Sequence, residues 1–277
     1  MRITFVFILF FTVTIIAYGK QKQSTFINPV GQTVNDRIAA PTGYTKVNVI
    51  KGSFAEYLRG LKLKPVSSMV HYYNGRIKDN NGVYVAVIDM PIGDKDLQQC
   101  ADVIMHVRAE YLFTTHQENK IHFTLTNGFR ADYSKWAEGY RIAFNGNKAQ
   151  WVKKGPADHT YSSFCKYMDV IYTYCGTLSL SKELKDVEYS AIQPGDILIK
   201  GGSPGHAEIV LDVAKNKEGK KIYLLAQGYM PAQEMQVLVN PGSAALSPWY
   251  EMDDTHTNII TPEWVFTIGQ LMRFEDE

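Results

Sequence analysis

The stretch "GGSPGHAEIVLDV", residues 201–213, decides how the rest of the chain is read. A Ser-Pro-Gly turn delivers the backbone into an apolar run of strand length, the pattern of a strand buried against a core. The first residue of that strand is His206, so an imidazole is predicted at a sheet end beside a loop, where reacting groups are commonly held within reach of solvent. On this stretch alone two readings stay open. His206 fills space at a strand start, or it is half of a catalytic pair.

Working outward, "IQPGDILIK" (192–200) precedes this strand, and "KIYLLAQG" (221–228) and "MQVLVNP" (235–241) follow it. Pro/Gly or charged turns join the four. Upstream, "GYTKVNVI" (43–50) reads as a short strand, and Ser53 can cap a helix ending before Gly60. "VYVAVIDMPI" (83–92) is the first strongly β-like run, a helix is expected from Leu97 to about Thr114, and "KIHFTLTN" (120–127) reads as another strand. A further helix is expected from Ser162 to about Cys175. Residues 20–43 are polar and carry Pro29, Gly31, Pro41 and Gly43, which reads as an extended N-terminal arm. No internal repeat separates these parts, so residues 44–277 are expected to form one α+β domain with helices packed on an antiparallel sheet.

The beginning of the chain differs from the rest. Arg2, the uncharged apolar run Ile3–Ala17, small residues at Ala17 and Gly19 and an abrupt polar turn follow the order of a secretory signal over residues 1–19. The run is too short for a comfortable membrane span, although an uncleaved anchor is the alternative. A secreted or periplasmic location is therefore expected, with membrane contact only through that segment before cleavage. Cleavage removes one of the 29 basic residues and none of the 28 acidic ones. A neutral mature chain without a concentrated basic patch is a poor partner for nucleic acid. The composition leaves the oligomeric state open.

Three cysteines in an oxidising compartment leave at least one thiol unpaired within the chain. Cys165 and Cys175 are ten residues apart in a helical pattern, about 15 Å along the axis, beyond disulfide reach. Cys100 sits in "GDKDLQQCADVIMHVRAEYLF" (93–113), where Asp96 precedes Gln99 at capping-box spacing. With Asp96 as cap, Cys100 falls in the first turn, where the partial positive charge of open N–H groups favours a thiolate. Ile104, Val107 and Tyr111 follow at helical spacing, so Cys100 also fits a plain core stripe. The acidic neighbours oppose a thiolate unless a cationic histidine lies close.

None of the seven histidines forms a metal-ligand motif, and no cofactor is implied. Asp212 shares a strand face with His206 but lies about 20 Å along the strand. Pairing Asp212 with Tyr223 on the next strand sets Glu208 opposite Gln227 and His206 diagonal to it, so Gln227 can accept the imidazole N–H and fix its tautomer. A slip of one residue would turn Gln227 away, and Glu208 is the fallback. The expected constellation is Cys100 as nucleophile, His206 as base and Gln227 as orienter. Gln99 or Gln98 would join the Cys100 N–H at the oxyanion.

The segments "DLQQCADVIMHVRAEYL", "GTLSL", "GGSPGHAEIVLDV", "LLAQGYMPAQEMQVLVNP" and "PWY" together resemble the domain of unknown function 4846 family of secreted or envelope proteins, from about residue 26 onward. That family implies no established activity. The series "QPGDILI", "GHAEIVLDV" and "LLAQG" more distantly resembles the papain-like NlpC and CHAP peptidase and amidase folds, in which a helix-borne cysteine precedes a small antiparallel sheet. This resemblance implies a base role for His206, an orienting role for Gln227, and a cell-wall peptide or other envelope amide as substrate. Cys165, in "SSFCKYMDVIYTYC", is closer in spacing to the compact NlpC-type domains. It lacks their "DCSG" surroundings, however, and the capping and glutamines favour Cys100. A noncatalytic envelope binding or scaffold module with the same frame is the competing class, with "DYSKWAEGYR" and "SPWYEM" as possible groove linings.

Overall fold

The structure, a computed structural model, describes residues 26–276; the expected signal segment lies outside them. In chain order its first half runs α1 (Val34–Arg37), β1 (Thr45–Lys46), α2 (Phe54–Gly60), β2 (Tyr84–Val87), α3 (Cys100–Thr114), β3 (His122–Thr124), β4 (Arg130–Asp132), α4 (Tyr133–Ala137), β5 (Tyr140–Asn145), β6 (Lys148–Lys153), α5 (Tyr161–Tyr174) and α6 (Thr177–Glu183). The second half runs β7 (Lys185–Asp186), β8 (Ile197–Lys200), β9 (His206–Lys215), β10 (Lys221–Gln227), β11 (Gln236–Leu238), β12 (Tyr250–Glu251), β13 (Asn258–Ile260), β14 (Val265–Thr267) and β15 (Leu271–Arg273). Nine strands form one antiparallel sheet in the order β2-β11-β10-β9-β8-β15-β7, with β1 also on β9 and β12 also on β10. The expected α+β class with an antiparallel sheet is what the chain adopts.

The four strands read around His206 are adjacent at the centre of this sheet. They are apolar on both faces because both faces are covered. Ile209, Leu211, Leu224 and Ala226 join the helical side, with Val103, Ile104 and Val107 of α3. Val210, Val213, Tyr223 and Leu225 join the other side, with Ile259 and Phe266 of the β13–β14 hairpin. Helix α3 packs on β9 and β10 and against α5 and α6, which explains why it is buried almost all round rather than along one stripe. Among the described residues no helix is long and apolar enough to cross a membrane.

Two local expectations change. Helix α3 starts at Cys100, not Leu97, because its cap is Gln99: the Gln99 N–H donates to Asp102 Oδ2 at 3.0 Å. Asp96 instead accepts from Ala232 N at 2.7 Å and from Gln99 Nε2 at 3.1 Å, tying the approach to α3 to the loop after β10. Residues 26–43 are not simply an extended arm. Thr33 caps α1, and Val34 and Ile38, four residues apart, are fully buried. The polar composition of that segment conceals a single apolar turn.

The β9–β10 register is the feature on which the site depends. At the turn end Asp212 pairs with Leu224, one residue from the expected Tyr223. A β-bulge then absorbs one residue of β9, so that Leu225 faces Val210 and Ala226 faces Ile209. The expected register is thereby restored toward Glu208 and Gln227. Asp212, fully buried, is held by Arg59 at 2.6 Å and Lys46 at 3.2 Å, away from the imidazole.

Candidate active site

Several segments converge on a cavity of about 390 Å³. The N-terminus of α3 contributes Gln99 and Cys100, the turn into β9 contributes Gly205 and His206, and the segments after β10 and β13 contribute Tyr229 and Trp264. The close approach of α3 to β10 depends on Gly228. A Cβ there would lie 2.5 Å from Val103 Cγ2 and 3.1 Å from the Gln99 carbonyl, and a β-branched side chain in a helix has little freedom to yield.

His206 is 2% exposed and ringed by Tyr229, Trp264 and Phe266, with centroids at 4.9, 5.3 and 5.9 Å. Its Nε2 lies 2.7 Å from Gln227 Oε1. The amide orientation is fixed from behind: Gln227 Nε2 donates to Glu263 Oε2 at 2.7 Å. An ionised carboxylate only accepts, so the amide nitrogen must face it and the amide oxygen must face the ring. His206 Nε2 is therefore the donor, and Nδ1 is the nitrogen left to take a proton from a nucleophile. Lys78, 2% exposed, donates to the same Glu263 oxygen at 2.6 Å. The line Lys78–Glu263–Gln227–His206 thus sets the tautomer through three successive hydrogen bonds.

The Cys100 thiol lines the same cavity as this ring and lies near enough to favour its charged form. Burial works against a charged imidazole, but Cys100 and Glu208 outweigh it and push the His206 pKa up to about 10. Glu208 stands behind Gln227 as a second acceptor. Its Oε1 is 3.5 Å from His206 Nε2 and accepts from Thr261 Oγ1 at 2.7 Å. Burial raises the Glu208 pKa, and its Oε2 has no partner.

As the first residue of α3, Cys100 sits where helix N–H groups are left open and the dipole is positive. Gln99 lines the cavity with one amide N–H spent on Asp96. Gln98 is buried, its amide nitrogen has no partner, and it does not line the cavity. Asp102 also lines the cavity, and burial pushes its pKa up to about 8. All three cysteines are free thiols. Cys165 lies on α5 outside this cavity, its pKa raised by burial. Cys175 lines the cavity, but its thiol donates to the Thr124 carbonyl at 3.5 Å and burial raises its pKa strongly.

Sequence reasoning named Cys100, His206, Gln227 and Gln99; Cys100, His206 and Gln99 line this cavity, and Gln227 is buried behind His206 and bonded to it. It missed Lys78 and Glu263. The sole trace of Glu263 in the sequence is a carboxylate between Pro262 and Trp264, and Lys78 carries no local signal. Among the described residues no three His, Cys, Asp or Glu side chains gather as a metal site. No curated protein and no solved structure is significantly similar to the chain. One family model spans nearly all of the fold, from α1 to β15 and including every residue of the cavity: the chain belongs to the family described as domain of unknown function 4846, matched over residues 34–273.

Proposed function

We propose that this protein is a cysteine-dependent hydrolase, an amidase or peptidase, with Cys100 as nucleophile, His206 as base and Gln227 as orienter. The observation that carries the reading is that His206, held through Nε2 by Gln227 Oε1 at 2.7 Å, shares one cavity with Cys100, so that Nδ1 is the ring nitrogen left to serve the thiol. Such a nucleophile, base and orienter arrangement is what covalent catalysis requires. The frame, a cysteine opening a helix against an antiparallel sheet with the base on one strand and the orienter on the next, supports a papain-like description of the fold.

In the reaction, His206 already holds the proton as an imidazolium, in keeping with its raised pKa, and the Cys100 thiolate attacks the amide carbon. The carbonyl electrons move to oxygen, where the Cys100 N–H and the second Gln99 amide N–H stabilise the charge. The imidazolium gives its proton to the leaving amine as the C–N bond breaks, giving a thioester. His206 then deprotonates water, which attacks the thioester, and the thiolate leaves beside the imidazolium. Removing one oxyanion donor costs about 3 kcal/mol of transition-state stabilisation. Together with the expected export signal, a cell-wall peptide or other envelope amide is the substrate class this reading favours.

The test uses an iodoacetamide-type electrophile on the purified protein and its Cys100→Ala, Cys165→Ala and His206→Ala variants. Labelling should vanish with Cys100, fall steeply with His206 and survive loss of Cys165. Labelling that persists without Cys100 ends this assignment. The second reading, a noncatalytic envelope module on the same frame, draws support from the near-closure of the pair, Cys100 at 8% and His206 at 2% exposure. It predicts no His206-dependent labelling at all.

A further inference from the structure

A second, larger cavity of about 1000 Å³ shares no lining residue with the first. It opens beside β2, the edge strand of the sheet. Val66, Met69, Val85 and Val239 give it apolar walls, and Ser67, Ser68 and Asn81 add neutral polar groups. Arg37 borders it at 4% exposure. Its Nε donates to the Gly31 carbonyl at 2.7 Å and its Nη1 to the Lys64 carbonyl at 2.6 Å. Among the described residues no carboxylate pairs with this guanidinium.

Two carbonyl dipoles do not neutralise a cation, and a buried charge without a counter-charge is costly. A guanidinium has five N–H donors, so three remain beyond the two carbonyl bonds. A single unpaired cation matches a monoanion better than a phosphate, and the apolar walls call for a hydrocarbon body behind the charged group. We infer that this cavity binds a single-chain carboxylate, a fatty-acid-like amphiphile, with its head group on Arg37 and its chain along Val66, Met69, Val85 and Val239. This site is independent of the proposed chemistry at Cys100.

The experiment is calorimetric titration of the purified protein with decanoate, decanol and decyltrimethylammonium, all at submicellar concentration. Decanoate should bind about tenfold more tightly than decanol, the margin of one charge-assisted hydrogen bond, and the cation should bind weakest. Arg37→Gln should erase the preference for the acid. Because Arg37 also ties the Gly31 and Lys64 carbonyls, a second variant leaves it untouched: Ala245→Trp, at an exposed position on the rim, should weaken decanoate binding at least about tenfold by filling the mouth. Decanoate binding no tighter than decanol, or unchanged by Ala245→Trp in folded protein, overturns the inference.

Discussion

Removing the Glu263 carboxylate tests whether the site is oriented from outside its reacting residues. In Glu263→Leu, Gln227 Nε2 loses its 2.7 Å acceptor and Lys78 loses its 2.6 Å partner. A hydrogen bond to a charged group is worth roughly 1.5–3 kcal/mol, and that is the energy holding the amide oxygen toward His206. Its loss lets the amide flip, which presents an N–H to the ring and favours the tautomer with the proton on Nδ1, unable to serve Cys100. Alkylation of Cys100 should slow by one to two decades, about 10- to 100-fold. Stability should fall too, because breaking a buried pair from one side costs up to roughly 3–5 kcal/mol. Burial already lowers the Lys78 pKa and Glu263 opposes that shift, so removing Glu263 lowers it further and eases the cost of the stranded cation. The double variant Lys78→Met/Glu263→Leu separates the two effects, since it removes the stranded cation without restoring an acceptor for Gln227. Urea unfolding should recover most of the wild-type stability while alkylation remains slow. Wild-type alkylation in the double variant would refute the orienting argument.

Three further outcomes follow from the same geometry. His206, pushed up to about 10 from an ordinary value near 6.5, binds its proton more tightly folded than unfolded. Its contribution to stability is full below about pH 6.5 and is lost as pH rises toward 10; denaturation midpoints across that range should decline, and less steeply in His206→Gln. Asp102, pushed up to about 8 by burial, likewise favours its protonated form in the fold, so its contribution fades between pH 4 and 8. Asp102→Asn should match the wild type near pH 4 and exceed it at pH 8 by roughly 5 kcal/mol; equal stability at both pH values would contradict the burial argument. Gly228→Ala should cost about 1–3 kcal/mol by overpacking against Val103 and should also slow Cys100 alkylation, because α3 must retreat from β10. A variant that loses stability but alkylates normally would show that the approach of α3 to β10 does not set the catalytic distance.

What the sequence disclosed and what it hid divide along physical lines. The partnership of His206 with Gln227 was legible because both lie on adjacent strands of one hairpin, where period-two alternation and a short turn nearly fix the pairing. The bulge was not legible: it lies next to the buried Asp212, whose partners Arg59 and Lys46 come from distant elements. That the register still came right at Gln227 reflects where the bulge sits: it absorbs its residue between the Asp212–Leu224 and Val210–Leu225 pairs, before the strand reaches the site. The helix start was misplaced for a similar reason. Asp96 suits a cap by residue type and spacing, and only the fold directs it to Ala232 and leaves Asp102 for Gln99. Glu263 and Lys78, 185 residues apart, left no periodic trace, because an orienting chain needs one residue of each kind and no spacing between them. The parts of the site that do chemistry were thus visible where local backbone geometry places them. The parts that hold the chemistry in position belong to the tertiary fold, which is why the Glu263 and Lys78 variants probe what the sequence alone could not.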